Sequence, residues 1–131
     1  MTKKELVNLH NYVWLKYHNK MEIVFENEND RDFYALIVSR KVILPKSIKK
    51  EQTEWSLFAF LHEIGHILTN KSTMKRYEME YLATQWALDE AKRIGFQVPR
   101  EYISTYQRYI NSYAKKIKRN PPKFENIILK Y

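Results

Sequence analysis

Residues 52 to 70, QTEWSLFAFLHEIGHILTN, can be read only as a helix set into a hydrophobic core. Trp55, Phe58, Leu61, Gly65 and Leu68 recur at steps of three and four, which is the spacing of one helical face. Thr53 suits the N-cap and Asn70 a C-terminal stop. Into this apolar period are set His62, Glu63 and His66, in a chain with only 4 histidines. Burying such groups without partners costs several kcal/mol, so their presence asks for a reason.

Four residues along a helix is about one turn, so the imidazoles of His62 and His66 project from one face and can converge on one ion. Glu63 follows the first histidine, where a carboxylate reaches a water at the metal without ligating the ion and can act as general base. Gly65 shares a face with His62. Glycine inside a helix costs about 1 kcal/mol against alanine, which makes sense where another element or a substrate comes close. With no cysteine in the chain, a transition metal has to be held by His, Asp or Glu.

Catalytic zinc commonly has three protein ligands, so a third is needed. His10 and His18 lie far off in sequence. The following helical stretch offers Glu78, Glu80, Asp89 and Glu90. Glu80 shares its face with Ala83, Ala87 and Ala91, and small residues let two helices pack closely enough for a carboxylate to reach across. Glu78 points elsewhere and suits the helix dipole, while Asp89 and Glu90 fall about half a turn away and read as solvated. Tyr77, Tyr81 and Tyr102 are candidates by type to stabilise an oxyanion, although core packing explains each as well.

The rest of the chain supplies a frame for this site. Leu6, Leu9, Val13 and Tyr17 predict an amphipathic helix over residues 3 to 19. MEIVFEN reads as a strand, ENENDRD as a loop, and FYALIVS and KVILPKS as two strands joined at Ser39-Arg40-Lys41, with Pro45 ending the second. A third helix is expected from about 74 to 94, closed by Gly95, and Pro99 opens a fourth with Ile103, Tyr106, Ile110, Tyr113 and Ile117 as a core-facing stripe. Asn120-Pro-Pro breaks that helix, and KFENIILKY follows as a short strand or docked tail. The expected fold is α+β: a small three-stranded antiparallel or mixed sheet packed on the HExxH helix and further helices. At 131 residues the chain is read as one domain, 1–131, with a core over about 20–95 and a basic helical extension over about 96–131.

Charge is divided unevenly. Residues 1 to 91 carry 13 basic and 13 acidic side chains, whereas residues 92 to 131 carry 10 basic side chains against Glu101 and Glu125, the whole of the net +8. Such a region can contact nucleic acid or an acidic partner, or can serve solubility alone. No signal peptide is visible at the start, and the longest apolar run, WSLFAFL, is far below the roughly 20 residues that span a bilayer, so a cytoplasmic protein without membrane contact is expected.

HEIGH at 62 to 66 followed by EYLATQWA at 80 to 87 resembles the ImmA/IrrE-like zinc metallopeptidase family, with its HELGH-type helix and Glu-x-x-Ala-Asn/Asp-x-Phe-Ala segment. The likeness extends upstream to a β-hairpin before the active helix and covers roughly residues 20 to 95. Thr84 stands where the family has Asn or Asp, Trp86 where it has Phe, and the family's Leu-Leu-Met-Pro-like helix end is replaced by DEAKRIGF. The resemblance implies one zinc ion held by His62, His66 and Glu80, with Glu63 as catalytic base. It further implies site-specific cleavage of a protein partner, a regulator or transcriptional repressor of a mobile element or phage. It also implies a sheet-edge strand, placed at Val42 to Lys46, that pairs with the substrate backbone. The alternative is a metal-containing binding module whose basic C-terminal region contacts nucleic acid or an acidic protein without proteolysis.

Overall fold

The computed structural model describes residues 1–29 and 32–131. The helix α1 (Lys3–Tyr17) leads into β1 (Glu22–Asn27), β2 (Tyr34–Leu36) and β3 (Lys41–Pro45), then a 3-10 turn (Lys46–Lys49). Three helices follow, α2 (Glu54–Thr69), α3 (Arg76–Arg93) and α4 (Arg100–Lys115), and a second 3-10 turn (Phe124–Ile127) lies near the C-terminus. The α+β reading holds. The loop expected over 26 to 32 includes residues 30 and 31, which lie outside the described residues.

The sheet is mixed, in the order β1-β3-β2. β3 runs parallel to β1, with Val24 opposite Ile43, and antiparallel to β2, with Ala35 opposite Val42. Being central, β3 buries Val42 and Leu44 completely, and Pro45 closes it because proline has no N–H for a ladder. Two expectations are corrected here. The strand read from FYALIVS stops at Leu36, since residues 37 to 40 form the turn, with Val38 fully exposed and Arg40 at φ 51°. Arg40 holds that turn by donating from Nε and Nη2 to the Lys20 carbonyl. The segment from Val42 to Lys46 cannot be a free edge, because β1 and β2 pair with β3 on both sides; β2 is the edge nearest the histidines.

Helix α2 is the centre of the packing. Thr53 and Ser56 cap its start reciprocally, each side chain accepting the other's backbone N–H, and Leu57, Phe58, Leu61 and Ile64 are fully buried. Its closest partner is α3, whose Ala83, Ala87 and Ala91 are all at 0% exposure as the small-residue face requires. A Cβ placed on Gly65 would lie 2.5 Å from the Ala83 carbonyl oxygen. Backbone meets backbone there, so Gly65→Ala is expected to be destabilising. The helix-propensity gain of about 1 kcal/mol is outweighed by an overpacking cost of about 1–3 kcal/mol, because a carbonyl cannot rotate away. Chemical denaturation of the two chains checks this.

Glu90 overturns its reading as a solvated residue. Its side chain is fully buried between α1 and α3, where Tyr17 and Arg93 donate to Oε2 and Lys16 donates to Oε1 at 3.1 Å. The basic groups come from a neighbouring turn and another helix, which a helical wheel of α3 alone cannot show. Burial pushes the Glu90 carboxyl up, but the hydrogen bonds from Tyr17 and Lys16 and the charges of Lys16 and Arg93 outweigh it and hold it below its ordinary value. Glu90 thus stabilises the fold above its unfolded pKa, near 4.5, and that contribution is lost as pH falls through the lower folded value. Glu90→Gln is expected to cost about 1–3 kcal/mol at pH 7 and much less at pH 3. Thermal unfolding measured across that range tests both the size and the direction.

After Lys115 the chain returns as the docked tail, not a strand. Gln107 donates to the Ile127 carbonyl and accepts from the Leu129 N–H, Gln85 does the same for the Lys130 backbone, and Ile127 and Leu129 are buried.

Candidate metal centre

On α2, His62 and Glu63 are buried and the His66 side chain is 11% exposed. The two imidazole rings stand 4.5 Å apart at 73°, so they present nitrogen edges to a common point rather than stacking. Potential ligand atoms of His62, Glu63 and His66 all lie within 4.8 Å of one another, a buried group that could hold a metal ion. Glu80 of α3 joins them: its Oε2 is 3.1 Å from His62 Nε2 and 3.3 Å from His66 Nε2. The approach of α3 permitted by Gly65 and Ala83 brings that carboxylate within reach.

The donor set fits a cation. His62 Nδ1 lies 3.2 Å from Glu63 Oε2, so Nδ1–H donates there and the lone pair of Nε2 is turned toward Glu80. Among the described residues His62 Nε2 is the one buried side-chain N or O atom without a hydrogen-bond partner. It is close to the Glu80 carboxylate but not aligned with it as a donor, which leaves a nitrogen and an oxygen facing each other across a gap. A cation between them satisfies both. Burial works against charge on His62, but the hydrogen bond to Glu63 and the nearby charges of Glu63 and Glu80 outweigh it and raise its pKa to about 9. Burial likewise opposes charge on Glu80, yet His62 and His66 hold its carboxyl far below the usual range. Without a metal, a proton on His62 balances these carboxylates; a cation competes with that proton for the same nitrogen.

The other candidates lie elsewhere. His10 donates from Nδ1 to the Leu6 carbonyl at 2.7 Å and bonds Ser56 Oγ through Nε2 at 2.8 Å, and His18 stacks on Trp14. Glu78 accepts the Lys75 N–H at the start of α3, as its place near the N-terminus suggests, and Asp89 is exposed beside Gln85. Thr84 donates to the Glu80 carbonyl at 2.7 Å and so touches the helix backbone, not the carboxylate that faces the histidines.

Beside the histidines opens a cleft of about 450 Å³, with β2 and Phe33 on one side, α2 beneath and α4 opposite. Tyr77, Tyr81 and Tyr102 pack against the core outside it; the tyrosines that line it are Tyr34, Tyr106, Tyr109 and Tyr113. Tyr106 lies 4.6 Å from the His62 ring, centre to centre, and 5.3 Å from Phe58. Burial first, then the charges of Glu63 and Glu80, push its phenol well above the ordinary tyrosine range, so it remains a hydroxyl donor at any physiological pH. Arg76 also lines the cleft, with Nε 3.2 Å from Glu80 Oε1 and its guanidinium 5.0 Å from the Tyr113 ring. The sequence reading set Tyr106 and Tyr113 in the core-facing stripe and gave neither them nor Arg76 and Tyr109 a place at the site. The signals were the i,i+4 spacing of Arg76 and Glu80, and the steps of three and four that set Tyr106, Tyr109 and Tyr113 on one face of α4.

The chain matches no protein-family model, no curated protein and no solved structure.

Proposed function

We propose that this chain is a zinc-dependent, site-specific endopeptidase of the ImmA/IrrE-like kind, acting in the cytoplasm on a protein partner such as a transcriptional repressor. The observation that carries the reading is the Glu80 carboxylate oxygen set against both His62 and His66 Nε2, with Glu63 one residue along and an open cleft beside all four. His62, His66 and Glu80 would hold the ion; two imidazoles and a carboxylate with no thiolate suit zinc, and three protein ligands leave a position open. Bound there, zinc supplies Lewis acidity at neutral pH. Glu63 takes a proton from the attacking water and passes it to the leaving amine. Tyr106, kept protonated and with its ring 4.6 Å from that of His62, is our candidate donor to a developing oxyanion from the α4 side. Among the described residues β2 pairs with β3 alone, and its other edge is where an extended peptide can lie. No helix among the described residues is long and apolar enough to cross a membrane.

The test is to incubate the zinc-loaded chain with a proteome-derived peptide library and identify new termini by mass spectrometry. Cleavage clustered on a short motif, abolished by a chelator and restored by zinc, is the expected result. A chain holding stoichiometric zinc that produces no new termini would leave the alternative, a metal-containing binding module.

A further inference from the structure

We propose that the end of the molecule where α3 begins and α4 finishes is a docking surface for an acidic polypeptide segment, contiguous in the substrate with the segment that enters the cleft. This deepens the peptidase reading and rests on it. Helices α3 and α4 are joined by the short connection Ile94–Pro99, and Arg76, at the start of α3, lies over Tyr113, near the end of α4. The helices therefore run antiparallel, which sets Lys71 and Lys75 before α3 toward the same end of the molecule as Lys115, Lys116, Lys118 and Arg119 after Tyr113. All six are exposed, and among the described residues none is in an ion pair with a carboxylate. In the sequence segments that supply these cations, 71 to 80 and 102 to 124, the acidic side chains are Glu78 and Glu80.

The patch is continuous with the candidate metal centre. Tyr113 lines the cleft, and its ring carries Arg76 at 5.0 Å and Lys116 Nζ at 5.2 Å, so one aromatic side chain joins the pocket wall to the basic surface. Arg76 reaches the other way, to Glu80 Oε1. A chain leaving the cleft past Tyr113 moves from an apolar lining, which includes Phe33, Ile37, Trp55 and Ala59, directly onto unpaired cations.

That sequence of surfaces favours polypeptide over nucleic acid. Arg76 is the only lysine or arginine lining the cleft among the described residues. A phosphate backbone has charge at every step and would have to lay it against this mostly apolar and aromatic lining, whereas a polypeptide can place apolar side chains in the cleft and acidic ones beyond it.

Fluorescence anisotropy on the zinc-loaded Glu63→Gln chain tests the proposal without relying on cleavage. The probes are labelled peptides with a common Ala-Phe-Leu-Phe-Ala centre extended at either end by a run of Glu or by an equal run of Gln, and an oligothymidylate of matching charge. The Glu peptide extended at the productive end is expected to bind about tenfold tighter than its Gln counterpart at low salt. The preference should vanish near 1 M salt, where screening acts within about 3 Å. The triple change Lys115→Glu, Lys116→Glu, Lys118→Glu should remove it, while Lys92→Glu, Arg100→Glu, Lys130→Glu, an equal change in charge at the opposite end, should retain it. Circular dichroism confirms that both triples keep their helices. Equal binding of Glu and Gln peptides, equal losses in the two triples, or tighter binding of the oligothymidylate would each overturn the proposal. A Glu preference lost only in the first triple, in a chain that cuts nothing, retains the docking surface and removes the peptidase reading; library cleavage with no Glu preference does the reverse.

Discussion

Glu63→Gln is expected to lower peptide hydrolysis by about 10²–10⁴-fold while the chain still takes up one zinc per molecule. The two outcomes separate because Glu63 has two contacts of different kinds. Its Oε2 accepts from His62 Nδ1 at 3.2 Å, which orients the imidazole, and its carboxylate borders the cleft, where a proton has to be taken from water. Glutamine keeps the side-chain volume and an amide oxygen that accepts the same Nδ1–H, so His62 still turns Nε2 toward Glu80. It loses the basicity. Glu63→Ala is the less informative variant, since it frees the His62 ring and disturbs metal and proton transfer together. Zinc content by atomic absorption, beside initial rates on a peptide taken from the library, reads both effects. Full hydrolysis by the Gln variant would remove Glu63 from the base role.

The candidate site was more legible in the sequence than its surroundings, for a physical reason. His62, Glu63 and His66 lie on one helix, and a helix fixes the relative directions of its own side chains at 100° per residue. Glu80 was accessible because the alanines at 83, 87 and 91 revealed which face of α3 meets α2, and the collision that a Cβ at Gly65 would make with Ala83 shows how closely they meet. Relations between elements were harder. Strand order depends on long-range pairing, so KVILP could be read as a strand but not as the central one, and the edge role assigned to it belongs to β2. Glu90 was misplaced because Tyr17 and Lys16 arrive from α1, more than 70 residues earlier in the chain. Tyr106 was placed correctly in a buried stripe, and the stripe concealed its second role: at 8% exposure it is core to Phe58 and wall to His62 at once. Periodicity reports burial, and a buried site is buried too.

Glu80→Ala should have the largest effect on the metal, lowering zinc affinity by more than about 100-fold, since changes to groups that only support a ligand already cost 10–100-fold. Glu80 Oε2 is the single atom that faces both His62 Nε2 and His66 Nε2, and alanine leaves two imidazoles with no anion between them. Arg76, whose Nε lies 3.2 Å from Glu80 Oε1, then becomes an uncompensated cation beside the histidines and opposes a second one. Glu80→Gln separates these contributions, because the amide keeps an oxygen near the nitrogens but removes the negative charge. It is expected to bind zinc more weakly than the parent and more tightly than Glu80→Ala. Competition with a chelating dye gives the three affinities. Thermal unfolding provides an independent scale: at a free zinc concentration of about 100 times Kd the parent chain gains about 2.7 kcal/mol, and Glu80→Ala at the same concentration should gain less than about 0.5 kcal/mol. If all three chains bound zinc alike, the ion would be held by His62, Glu63 and His66 alone, and Glu63 would be a ligand instead of a base.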